Sequence, residues 1–171
     1  YKQFIQTMEP GTRYYLMFEM LFWTGCRIGE LLAITKADIN FEKNQLSINK
    51  TYYRTGMQDI ITEPKTKQSF RTIEIPEFLK EEIKEFVDGH YGMPDTERLF
   101  PVVQEAVQHK MKRQIELAGV KKIRVHDLRH SHVAYLIYQG VEPLIIKERL
   151  GHKDIQMTLN TYGHLYPSQQ K

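Results

Sequence analysis

Between Val125 and His132 the chain reads VHDLRHSH, placing three histidines and an arginine within seven residues. Read as a helix, His126, Arg129 and His130 fall at steps of three and four, so they project from about one face. Two chemistries compete for that face. HDLRH has the spacing of a His-Glu-x-x-His zinc motif with aspartate in place of glutamate. Aspartate is a methylene shorter than the glutamate that should reach a metal-bound water. Arg129 would also put a permanent cation beside the ligands, and no third ligand stands at a familiar spacing. The other chemistry is an anion site: Arg129 offers a planar fork to two phosphate oxygens, and His126, one turn away, bonds or shuttles a proton. A buried arginine and histidine satisfying carboxylates would be the simplest account if this segment stood alone.

Other segments carry related signals. Thr24 to Leu32 (TGCRIGELL) sets Arg27 in the first turn of a helix, with Thr24 as a possible N-cap. The positive end of a helix macrodipole prefers an acid, so a cation there points either to a bound anion or to pairing with Glu30. LGH, Leu150 to His152, closes one helix; Asp154 then caps the next, leaving His152 in the junction. Ten residues on comes Tyr162, in LNTYGHLYP. A phenol with a free pKa of about 10 is a poor nucleophile at neutral pH unless its surroundings stabilise the developing charge.

The elements that must position these residues are mostly helical. Periodicity predicts helices over Thr12–Thr24, Arg27–Ile34, Glu77–Asp88, Val102–Leu117, His126–Gln139, Glu142–Leu150 and Asp154–Tyr162. In Glu77–Asp88 the apolar residues Phe78, Leu79, Ile83, Phe86 and Val87 recur at helical spacing, and Gly89 is placed as a stop. Three runs rich in Ile, Tyr, Phe and Thr, Gln45–Tyr53, Asp59–Thr62 and Phe70–Ile75, predict a three-stranded antiparallel sheet. Pro64–Ser69 is then the exposed turn before its last strand. The fold class is mainly α with a small antiparallel sheet (α+β).

At 171 residues and 41% hydrophobic, the chain is the size of one domain with a proper core. The formal charge is only +3, but Lys and Arg gather in Lys50–Arg71 and Lys110–Arg129, which suits a polyanion. A single cysteine, Cys26, excludes an internal disulfide framework, fits a reducing cytosol and reads as a small buried side chain. The most apolar stretch, Tyr14–Trp23, is too short to span a bilayer and carries Glu19 at its centre. No signal peptide is expected at Tyr1–Pro10, and the start looks like a cut inside a longer protein.

Arg27 in TGCRIGELL, Lys65 in PKTKQSFRTIEIP, His126 and Arg129 in HDLRHSHVAYLI, His152 in LGH and Tyr162 in TYGH occur in one order. That order and spacing resemble the catalytic domain of the tyrosine recombinases, the phage integrase family. The likeness is greatest to integrases of Gram-positive phages and conjugative transposons and runs from about Thr12 to His164.

The resemblance implies a tyrosine recombinase catalytic-domain fold across residues 1–171, with the family's upstream core-binding and arm-binding domains absent from this chain. It implies site-specific DNA recombination, the integration or excision of a mobile element, without cofactor or metal. Tyr162 would attack a scissile phosphodiester and form a 3′-phosphotyrosyl link. Arg27, Arg129 and His152 would bind the phosphate, Lys65 or its neighbour Lys67 would protonate the leaving 5′-oxygen, and His126 would accept or relay the tyrosine proton. The implied partner is double-stranded DNA at core attachment sites, engaged in the cytoplasm by a synaptic homotetramer of the full-length protein, with no membrane. Type IB topoisomerases share this chemistry and are the nearest alternative; a metal-dependent hydrolase using HDLRH is the more distant one. Without DNA, Tyr162 is expected to be poorly fixed near the end of the chain.

Overall fold

The structure is a computed structural model and describes residues 1–64 and 66–166. Its centre is α2 (Arg13–Thr24), whose sequence is apolar on nearly every side, as a helix surrounded by others must be. Leu16, Met17, Phe18, Met20 and Leu21 are each at most 2% exposed. Around it pack α1 (Lys2–Ile5), α3 (Ile28–Ala33), α4 (Glu77–Asp88) and α6 (Asp127–Tyr138). The apolar stripe of α4 buries Leu79, Ile83, Phe86 and Val87, as its spacing predicts. Further out, α5 (Gln104–Ala118) lies against α1 and α3. Next, α7 (Pro143–Leu150) and α8 (Ile155–Tyr162) close a second, smaller core on α6, made of Val133, Ile137, Ile146, Leu150 and Tyr162. Among the described residues no helix is long and apolar enough to cross a membrane.

The strands depart from the expected single sheet. A three-stranded antiparallel sheet is present, but its members are β1 (Ile39–Asn40), β2 (Gln45–Ile48) and β5 (Arg71–Glu74), with Leu46 facing Ile39 and Ile73. Asp59–Thr62 is not in it. The run Gln45–Tyr53 breaks at Asn49–Lys50, and β3 (Thr51–Thr55) pairs with β4 (Gln58–Thr62) as a separate hairpin against α3. The break has a tertiary cause: Asn49 Nδ2 donates to Asp38 Oδ1 at 2.9 Å, and Lys50 Nζ pairs with the other oxygen of Asp38. Both side chains are thus drawn away from a continuous strand.

Two glycines set how the helix ends meet. Gly25, which caps α2, has φ +65°, and a Cβ there would stand 2.5 Å from the buried His132 ring on α6. Gly151, which caps α7, also has φ +65°, and its Cβ would lie 2.9 Å from the Gln68 carbonyl. The turn Lys67–Ser69 is therefore seated directly on the residue that precedes His152. Gly89, by contrast, ends α4 in ordinary right-handed geometry that any residue could adopt. Because Gly25→Ala adds left-handed strain to a clash with a ring that cannot move, it should destabilise the fold by roughly 2–4 kcal/mol in urea denaturation. Loss of less than about 0.5 kcal/mol, the range of an ordinary surface substitution, would contradict this packing.

Candidate active site

Arg129 is a cation only 3% exposed, and burial of that kind demands acceptors. It finds them at two helix ends. Its Nη1 donates to the Gly25 carbonyl at 2.6 Å and its Nη2 to the Leu150 carbonyl at 2.8 Å, where the negative ends of the α2 and α7 dipoles favour a cation. Two of its five N–H donors are used this way, leaving others for an anion. Burial, followed by repulsion from Arg27, pushes its pKa down to about 10, so it stays charged at neutral pH.

Arg27 occupies the N-cap position of α3 rather than its first turn, and Thr24 ends α2 instead of capping α3. The misplaced cation is balanced by Glu30, which accepts from the Arg27 backbone N–H at 2.8 Å and from Nη1 at 3.0 Å. The same carboxylate takes a two-pronged pair from Arg71 at 2.9 and 3.1 Å. Burial raises the Glu30 pKa, but the hydrogen bonds and charge of Arg71, with help from Arg27, hold it below the ordinary carboxylate value. Arg71 also donates from Nε to the Arg149 carbonyl at 2.7 Å, so the start of β5 is bolted to both α3 and α7. The basic run Lys50–Arg71 is thus partly structural: Lys50 sits on Asp38, Arg54 on Asp59, and Arg71 is buried.

His152 lies in the α7–α8 junction, with Nδ1 at 2.9 Å from the Thr158 hydroxyl. Asp154 caps α8 through the Gln156 N–H at 3.0 Å, as expected. Burial, then the charges of Arg129, Arg27 and Arg71, push the His152 pKa down to about 4. It is a neutral hydrogen-bonding group at pH 7. His126, at the N-cap of α6, is also lowered, by burial and then by His130 and Arg129.

Tyr162 ends α8 and is not poorly fixed. It is 6% exposed, its ring is part of the second core, and its hydroxyl bonds His130 Nδ1. Packing against α6 and α7 supplies the hold that was not expected of a residue near the chain end. Burial raises its pKa, opposed by Arg129. In the sequence His130 entered only the competing zinc reading of HDLRH and had no part in the anion site, although its i+4 relation to His126 was the available signal.

Arg27, His126, Arg129, His130, His152 and Tyr162 line one cleft of about 490 Å³. Lys65 lies outside the described residues; Lys67 stands in the exposed turn seated on Gly151. Among the described residues, no three of His, Cys, Asp and Glu gather as metal ligands do. A neighbouring groove of about 590 Å³ between α5 and the segment before α6 shares His126 with the cleft and carries Lys112, Lys122 and Arg124. The arrangement suits a tetrahedral anion beside a phenol, with a basic approach.

The histidines give a pH signature. An unfolded histidine binds its proton near pH 6.5, whereas His152 and His132 hold out to about pH 4 and about pH 3. Between those limits the unfolded chain carries more protons, so stability falls as pH falls from about 6.5 to about 4. Urea denaturation at stepped pH should show that slope, and His152→Asn should flatten part of it. An NMR titration midpoint for His152 near 6.5 would contradict the burial and field argued above.

The phage integrase family model matches residues 1–169. The ICEBs1 integrase of Bacillus subtilis (strain 168) is 33% identical over 185 residues, covering 100% of this chain and 50% of that protein. A XerC-like tyrosine recombinase of Caldanaerobacter subterraneus subsp. tengcongensis is 30% identical over 192 residues, covering 97% and 49%. The chain thus spans about half the length of these relatives. Among solved structures, the Tn1549 transposon integrase in complex with a circular intermediate DNA matches with a TM-score of 0.82 at 24% identity, covering 97% of this chain and 58% of that one. The catalytic domain of bacteriophage HP1 integrase matches at 0.61 and 22%, covering 91% and 76%.

Proposed function

The chain belongs to the phage integrase family, and we propose that it is the catalytic domain of a site-specific tyrosine recombinase that cleaves and rejoins double-stranded DNA. The observation that carries this reading is the convergence of Arg27, Arg129, His152 and Tyr162 on one cleft from four separate segments.

In the proposed reaction the Tyr162 oxygen attacks phosphorus and the bond to the 5′-oxygen breaks, leaving a 3′-phosphotyrosyl link that stores the bond for rejoining. Arg27 and Arg129 offset the extra negative charge of the five-coordinate transition state, and neutral His152 donates to a nonbridging oxygen. Lys65, or Lys67 two residues on, protonates the leaving 5′-oxygen. His126 lies in the cleft within the histidine pair that would handle the tyrosine proton. The basic groove along α5 gives the duplex backbone a place to lie. Exchange between two duplexes cuts four strands, which is the reason to place the full-length protein in a synaptic homotetramer. Core-binding and arm-binding domains would complete that protein, and its DNA substrate places it in the cytoplasm.

A pool of nicked duplexes of randomised sequence, in which cleavage traps the protein on DNA, tests the reading on a denaturing gel. Wild type should form a covalent adduct, insensitive to EDTA, and Tyr162→Phe none. Arg27→Ala removes a partly exposed clamp without taking the Arg129 bolts from the fold, and should slow adduct formation by roughly 10²-fold or more. An adduct that persists in Tyr162→Phe, or that EDTA abolishes, would overturn the assignment.

A further inference from the structure

Attack by Tyr162 requires that its proton leave, and burial makes the phenol hold that proton more tightly than a free one does. Among the described residues, the side chain bonded to its hydroxyl is His130, through Nδ1, with ring centroids 5.6 Å apart. His126 does not make that contact. Its ring stands one helical turn earlier, edge-on to His130 at 5.1 Å between centroids.

We propose that His130 is the catalytic base that takes the Tyr162 proton, with His126 acting behind it on the imidazole rather than on the phenol. The proposal rests on the recombinase reading above and assigns a group within that site. Both partners are set in place before any substrate arrives. His130 follows Arg129, which is pinned through Gly25 and Leu150, and Tyr162 is packed among Val133, Ile137, Ile146 and Leu150. A neutral imidazole that accepts at Nδ1 carries its own proton on Nε2, so the geometry calls for that tautomer.

The step balances. The Tyr162 Oη–H bond breaks and its proton joins His130 Nδ1, giving an imidazolium. The oxygen's electron pair then forms the bond to phosphorus, and the electrons of the broken P–O bond stay on the 5′-oxygen, which takes a proton from the lysine proposed above. Rejoining runs the same transfers backwards. The imidazolium also has an outlet: His130 and Tyr162 form part of the wall of a second, more open depression of about 520 Å³, lined in addition by Asp127, Ser131 and His164. The titratable and charged groups facing His130 are His126, Asp127 and Arg129 from the start of α6, Arg27 from the N-cap of α3, Tyr162 and His164 from α8 and the turn after it, and His152 from the junction.

The test uses His130→Asn, whose amide oxygen can accept the phenol's hydrogen bond from nearly the Nδ1 position but cannot carry its proton away. With the nicked-duplex pool, adduct formation at neutral pH should fall by roughly 10²–10⁴-fold, the ordinary worth of a general base. The deficit should narrow as pH rises and hydroxide ionises the phenol. A pool with sulfur replacing the bridging 5′-oxygen needs no acid for its leaving group, so it should restore Lys65→Ala or Lys67→Ala and leave His130→Asn slow. Wild-type rates in His130→Asn, or full rescue by sulfur, would sink the assignment while leaving the recombinase reading intact; an adduct in Tyr162→Phe sinks the recombinase reading itself. An independent measurement needs no variant: ¹⁵N NMR of histidine-labelled wild type should find Nδ1 of His130 unprotonated at neutral pH. A protonated Nδ1 donating to Tyr162 would overturn the base role.

Discussion

A guanidinium taken out of water must have its donors satisfied, and the way Arg129 meets that demand organises the rest of the molecule. Its two bonds end on the carbonyls of Gly25 and Leu150, the carboxyl ends of α2 and α7. The central helix of the main core is thereby tied to the helix that carries the second core. Removing the side chain would leave two buried helix ends without their cation, and the junction that holds His152 starts from one of them. A residue proposed to hold substrate phosphate is therefore also a structural fastener, with some donors spent on the fold and others left toward the cleft.

The electrostatics follow from the same crowding. Arg27, Arg71 and Arg129 share one buried carboxylate, Glu30, so the region is short of negative charge. Glu30 remains ionised because Arg71 grips it from two sides, and it fixes where Arg27 points. Burial first, and then the surplus positive field, act on the histidines, pushing the His152 pKa down to about 4 and lowering that of His126. In the proposed reaction the cationic guanidiniums would supply charge, and the imidazoles beside them hydrogen bonds and proton acceptance. An arriving phosphate would restore the missing negative charge.

Features set by local physics were legible in the sequence. The stripe of α4, the Asp154 cap and the stops of α2 after Thr24 and of α7 after Leu150 follow from spacing and residue type within a few positions. The strand break at Asn49–Lys50 was not, because its cause is Asp38, 11 and 12 residues away in sequence. Arg71 reads as one member of an exposed basic run, yet its carboxylate partner is 41 residues upstream and buries it. The two-residue strand β1 carries too short a pattern to announce itself.

By itself the sequence determined which chemical groups were available and in what order: two arginines on helix starts, histidines on one face and at a junction, and a tyrosine at the end of a short helix. Residue types and helical spacing suffice for that, since both act over a turn or two. Which histidine meets the tyrosine was beyond it. His126 and His130 stand one turn apart on the same face, and local geometry treats them alike. The angle at which α8 docks on α6 and α7 breaks the tie, and that angle depends on Gly151, on the His152–Thr158 bond and on the burial of the Tyr162 ring. These contacts join residues from separate elements and exist only once the chain has packed.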